Sequence, residues 1–174
     1  MTLYRKVITE LYCKLLGEEL KKKVNNLKIL QNQIGYETAG GGVELLSETT
    51  VGQILKGKRN ISFNASLAFQ TSLHYKNPRE LFFPNKKFEL LLIKNLITTI
   101  LTDPVFEDTL LKQVLAKNFS HISQKEVSQF IEKNKEIFLC SLSNFISDFP
   151  AEETSHQIAE KLTDWLSELA CLIS

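Results

Sequence analysis

The chain of 174 residues is 43% apolar and 24% charged, with a net charge of +1, the balance of a folded globular protein able to bury one good core or two small ones. Its longest apolar runs, residues 90–93 and 96–97, are interrupted by Lys94, Asn95 and Thr98, which excludes the ~20 continuous apolar residues that span a bilayer. Cys13, Cys140 and Cys171 are odd in number, far apart and set in apolar surroundings, a pattern of reduced thiols acting as small hydrophobes.

Arg5 and Lys6 precede a mixed stretch containing Glu10 and Lys14 rather than a secretory apolar segment, so a cytoplasmic location is expected. From Leu3 to about Val24, apolar residues recur at Leu3, Val7, Ile8, Leu11, Leu15, Leu16, Leu20 and Val24. That spacing predicts a long amphipathic helix, or two in tandem near Gly17. A short helix is expected over residues 31–38, ended by Gly40, Gly41 and Gly42, because three glycines hold helix poorly.

Residues 47–62 are the most informative stretch. Val51, Ile54 and Leu55 share one helical face, while Glu48, Thr49, Gly52, Gln53 and Lys56 fall on the others, so one face can meet a core and the rest a partner. Gly57 stops this helix, and Lys58, Arg59 and Asn60 supply donors suited to phosphate. A further helix is expected over residues 63–73, with Leu67, Ala68 and Phe63 inward. Asn77-Pro78 then has the chemistry of a helix start, and Pro84-Asn85 closes the first half.

The second half reads as helices throughout. One covers residues 87–102, the next opens at Asp103-Pro104 and runs to about Asn118, and Ser123 with Glu126 has capping-box spacing. Val127, Phe130, Ile131, Ile137, Phe138, Leu142, Phe145 and Ile146 trace the stripe of the helix that follows, which is expected to stop by residues 148–150. The last helix begins near Ala151, with Ile158, Leu162, Trp165, Leu166, Leu169 and Ile173 inward and Asp164 and Glu168 on a wetter face. No segment alternates like a strand, so the fold class is all-α. Residues 1–85 hold 12 Lys and Arg against 7 Asp and Glu, and residues 86–174 hold 9 against 13, a division of +5 and −4 that predicts two domains, 1–85 and 86–174.

The first half matches a known family in order as well as composition. Leu16-Gly17-Glu18-Glu19-Leu20 opens it, Gln31 starts the second helix, the segment from Thr50 through Gly57-Lys58-Arg59-Asn60 follows, and Asn77-Pro78-Arg79-Glu80-Leu81-Phe82 closes it. Over about residues 16–83 the chain resembles the Xre, or lambda-repressor-like, helix-turn-helix family. The resemblance implies a five-helix DNA-binding domain with an extra N-terminal helix, whose residues 47–56 enter the major groove of double-stranded DNA. By position it assigns base reading to Glu48, Thr49, Thr50 and Gln53, and phosphate contact to Gln31, Lys56, Lys58, Arg59 and Asn60. The chain departs from the family in three places: residues 40–46 lengthen the connection between the second and third helices, Leu30 stands where a polar cap is normal, and Gly35 where alanine is usual.

Residues 86–174 resemble no particular family; their apolar stripes predict a helical bundle used for homodimerisation, with room for a peptide or protein partner. The expected function is a transcriptional regulator, a repressor acting as a homodimer on a palindromic operator. The alternative is an antitoxin-like or inhibitor protein of a mobile element, whose second half binds a protein target while the first controls its own gene. No catalytic residue, cofactor or metal is expected: His74, His121 and His156 have no ligand spacing, and the glycine run lacks a following Lys-Ser/Thr and a preceding strand.

Overall fold

A computed structural model of the chain describes residues 3–37, 43–147 and 153–172. Eight α-helices carry the fold over these residues: α1 Leu3–Leu27, α2 Glu48–Leu55, α3 Phe63–Leu73, α4 Pro78–Phe82, α5 Lys86–Thr102, α6 Leu110–Ala116, α7 Gln124–Phe145 and α8 Ser155–Leu172. The chain is all-α in class. The exception among the described residues is a two-residue antiparallel ladder, β1 Tyr36–Glu37 with β2 Val43–Glu44, pairing Tyr36 with Glu44 and Glu37 with Val43. The expected Gly40–Gly42 break and the stop at 148–150 lie outside the described residues.

Two compact units divide the chain. Thr9–Asn85 with Phe149–Ile158 make one, and Met1–Ile8, Lys86–Asp148 and Ala159–Ser174 make the other. Relative to a single cut after residue 85, residues 1–8 and 149–158 change sides. The consequence is electrostatic: grouped by unit, the chain carries 10 Lys and Arg against 9 Asp and Glu in the Thr9–Asn85 unit and 11 against 11 in the other. The contrast of +5 and −4 between sequence halves is therefore a property of the linear order alone.

In the Thr9–Asn85 unit the buried apolar residues are Tyr12, Leu15, Leu16, Leu20 and Val24 of α1 together with Val51, Ile54, Ala65, Phe69, Leu81 and Phe82. The Tyr12 hydroxyl donates to the Phe82 carbonyl at 3.0 Å, satisfying a phenol that has no exposure. Gly17 does not break α1, which is continuous. The helix ends instead at Lys28, whose left-handed φ of 56° lets the Ile29 N–H donate back to the Val24 carbonyl at 3.2 Å.

The helix expected over residues 31–38 is replaced by a single 3-10 turn, Gln31–Gln33. Gln33 Oε1 accepts from the Leu30 N–H at 2.8 Å, so a neighbour supplies what Leu30 lacks. Gly35 explains the stop. Its φ of +80° is left-handed, and a Cβ there would stand 3.2 Å from the Ala68 and Leu46 Cβ atoms, so alanine would bring both backbone strain and crowding. The chain turns at Gly35 into β1 instead of continuing as helix.

The expected inward face of α3 is also corrected. Ala65, Ser66, Ala68, Phe69 and Leu73 are buried, whereas Phe63 and Leu67 are exposed. Leu67 lies about 100° round the helix from Ala68, beyond the buried face.

In the Lys86–Asp148 unit, Phe88, Leu92, Ile93, Leu96, Ile97, Ile100 and Leu101 of α5 are buried and α5 packs on α6 and α7. The helix expected from Pro104 to Asn118 is broken: Pro104–Phe106 is a 3-10 turn capped by Asp103, and Thr109 caps a new start for α6. On α7, Val127, Ile131, Phe138 and Leu142 are buried but Ile137 is exposed, since it lies about 100° round the helix from Phe138. Trp165 of α8 is buried and donates from Nε1 to Ser141 Oγ at 3.0 Å. Cys13 is buried and Cys140 is exposed, so the expectation of a thiol set in apolar surroundings fails at Cys140.

Candidate nucleic-acid interface

Helix α2 forms where expected because both its ends carry local signals. Ser47 Oγ accepts from the Thr50 N–H at 3.3 Å, and Glu48 in the first turn complements the positive end of the helix. At the other end Gly57, with φ +67°, permits a left-handed stop, and the Lys58 N–H reaches back to the Gln53 carbonyl at 2.9 Å. Val51, Ile54 and Leu55 are buried. Thr49, Gln53 and Lys56 are exposed on the opposite side, within about 60° of one another round the helix, and Glu48 is exposed at its N-terminal end.

The turn after α2 is seated on α1 by two glycines. A Cβ on Gly17 would lie 2.6 Å from the Ile54 carbonyl oxygen and 2.8 Å from the Gly57 nitrogen, and one on Gly57 would lie 2.4 Å from Lys14 Cα. Helix α1 and the end of α2 are therefore in backbone contact that no larger residue permits. Lys14, exposed on α1, stands beside the turn as a result; nothing in the sequence near Lys14 signals that neighbour.

Lys58, Arg59 and Asn60 are exposed, but two of them are also held. Arg59 Nη1 donates to Thr50 Oγ1 at 3.2 Å, and that oxygen lies 3.0 Å from Ser47 Oγ. Thr50, half-buried, is thus engaged in fixing Arg59 over the first turn of α2. Asn60 Oδ1 accepts from the Cys13 thiol at 3.1 Å. Burial pushes the Cys13 thiol above its ordinary pKa, the Ser155 hydrogen bond acting in the opposite direction. Gln31, on the 3-10 turn, is exposed and lies over Gly52: a Cβ at that glycine would come within 3.2 Å of Gln31 Oε1.

All nine residues assigned from the sequence therefore belong to one compact unit, and α2 and its turn bring eight of them together. The exit of the turn rests on a residue to which no sequence motif points. Ile61 is buried, its N–H donates to Ser155 Oγ at 2.7 Å, and its carbonyl accepts from the Ser155 N–H at 3.1 Å.

A second feature lies in the Lys86–Asp148 unit. Glu136, Ile137, Cys140, Ser141, Asn144 and Phe145 of α7 with Glu168 of α8 line an open groove of about 840 Å³. Its most exposed apolar wall is Ile137, at 57% of full exposure. Among the described residues no group of three or more His, Cys, Asp or Glu is placed to hold a metal ion, and no helix is long and apolar enough to cross a membrane. No family model, curated protein or solved structure matches the chain.

Proposed function

We propose that the chain is a sequence-specific DNA-binding transcriptional regulator that presents α2 to the major groove and acts as a homodimeric repressor on a palindromic operator. The observation that carries this reading is the capped, half-buried α2. Its exposed face holds Thr49 and Gln53, Glu48 is exposed at its first turn, and the helix runs directly into an anchored basic turn. Gln53 can hydrogen-bond adenine in two places, Thr49 can meet a thymine methyl, and Glu48 can accept from cytosine. Lys56, Lys58, Arg59, the amide donors of Asn60, Gln31 and the neighbouring Lys14 grip phosphate and set the register. A dimer follows from the economy of such sites, because one short helix covers few base pairs and two copies on a two-fold site gain affinity and length.

Fluorescence anisotropy on the DNA upstream of the protein's own coding region tests the reading. Tight binding that weakens with salt and exceeds binding to a scrambled duplex is expected. Equal, purely salt-driven binding to both duplexes, or none at micromolar protein, contradicts it.

The exposed Ile137 in the α7 and α8 groove favours a second reading, in which that unit seizes a protein target and the DNA-binding unit controls the gene. Capture of a specific non-self protein by the full chain, abolished by Ile137→Asp while DNA binding persists, would support it.

A further inference from the structure

The turn that carries Lys58, Arg59 and Asn60 is clamped at both ends, and the two clamps differ in kind. At its entry, Gly57 touches the backbone of α1. At its exit, Ile61 exchanges two backbone-directed hydrogen bonds with one residue 94 positions away, Ser155. Ser155 has no exposure, and its Oγ also lies 3.8 Å from Cys13 Sγ. The segment that delivers it is itself fixed: Thr154 Oγ1 accepts from the Gln157 N–H at 3.4 Å, and Gln157 Oε1 accepts from the Thr154 N–H at 2.9 Å, a reciprocal capping box that sets Ser155 as the first residue of α8.

We propose that Ser155 is a positioning residue for phosphate recognition: its hydroxyl and N–H hold Ile61, and through Ile61 they fix where Lys58, Arg59 and Asn60 meet the DNA backbone. The proposal rests on the nucleic-acid reading of that turn and deepens it. Removal of the hydroxyl leaves the Ile61 N–H buried without an acceptor, a cost that shifts the turn toward local opening. The turn then gives up its fixed register while α2 keeps its own caps and its buried face. A residue that served only to stabilise the fold would change the amount of active protein and leave the salt dependence of binding unaltered.

The test uses the full chain with Ser155→Ala and Ser155→Thr, the latter keeping the hydroxyl. Amide hydrogen exchange at Ile61 is measured alongside anisotropy on a mixed-sequence duplex over a range of salt. Ser155→Ala is expected to speed Ile61 exchange at least ~10-fold and to lower the slope of log affinity against log salt by about 0.9 for each phosphate no longer neutralised. Ser155→Thr is expected to restore both. If Ser155→Ala does not fold, Ser155→Cys, which keeps the size with a weaker acceptor, is expected to show smaller changes in the same directions. Wild-type binding with a salt slope that the variants leave unchanged overturns the proposal alone. Unchanged exchange at Ile61 also overturns it. Faster exchange in a protein whose wild type shows no salt-dependent binding overturns it together with the nucleic-acid reading.

Discussion

Gly17 and Gly57 show how far a single side-chain atom decides the geometry of the proposed interface. Each would place a Cβ under 3 Å from backbone atoms of the facing segment, and backbone cannot swing aside as a long side chain can. Gly17→Ala is expected to cost about 1–3 kcal/mol through overpacking, measured by denaturant unfolding; an unchanged midpoint would contradict the close approach. Lys28 and His74 are the reverse case. Both close a helix with left-handed φ, 56° and 59°, a conformation that glycine adopts without steric penalty. Lys28→Gly or His74→Gly is therefore expected to stabilise by up to about 1 kcal/mol, and a fall in thermal midpoint would count against these caps. Tyr75 carries a pH signature. Burial, with Glu19 and then Glu80 adding to it, pushes its phenol up to about 12. A folded value above the unfolded value of about 10 means that the protonated phenol stabilises the fold fully below pH 10, and that this contribution is lost as pH rises toward 12. Tyr75→Phe is expected to unfold less steeply across that window than wild type.

At the scale of elements, the helices legible in the sequence are those whose ends are written locally. Ser47 before α2, Ser62 before α3, Asn77-Pro78 before α4 and Ser123 before α7 all cap as their side-chain chemistry dictates. Glu126 departs in one detail, accepting from the His121 N–H and not from that of Ser123. Residues 31–38 are not legible in this way, because Gln and Asn suit a helix start while the decisive fact is the left-handed backbone of Gly35 packed on Ala68 and Leu46. The stripe readings fail at Leu67 and Ile137 for a related reason: periodicity identifies an apolar face, and small residues or a neighbouring helix choose which part of it is covered. The start of α8 is written in Thr154 and Gln157, whose spacing is that of a capping box, rather than near Ala151 where the apolar pattern alone puts it. For α2 two substitutions separate the proposed roles. Gln53→Ala is expected to weaken the specific site by about 1–3 kcal/mol and leave non-specific binding unchanged. Lys58→Ala is expected to weaken all sequences and reduce the salt slope by about 0.9. Equal effects of both on every sequence would contradict the division.

For the whole molecule, charge and chain order tell different stories. The basic first half and acidic second half of the sequence fold into units that are each nearly neutral, because residues 1–8 and 149–158 change sides. Attraction of DNA by net charge is correspondingly weak, so the proposed function rests on a local cluster: Lys14, Lys56, Lys58 and Arg59 around α2. That cluster is partly legible in the sequence. Lys56, Lys58 and Arg59 follow from the turn itself, while Lys14 and Ser155 are brought to it by packing across separations that no local pattern encodes. The central claim is that α2 reads bases while its turn grips phosphate. The most direct test is a competition titration of the double variant Gln53→Ala with Arg59→Ala against wild type, on the upstream duplex and on a scrambled one. The preference for the upstream duplex is expected to disappear in the double variant; specific binding left intact would contradict the claim.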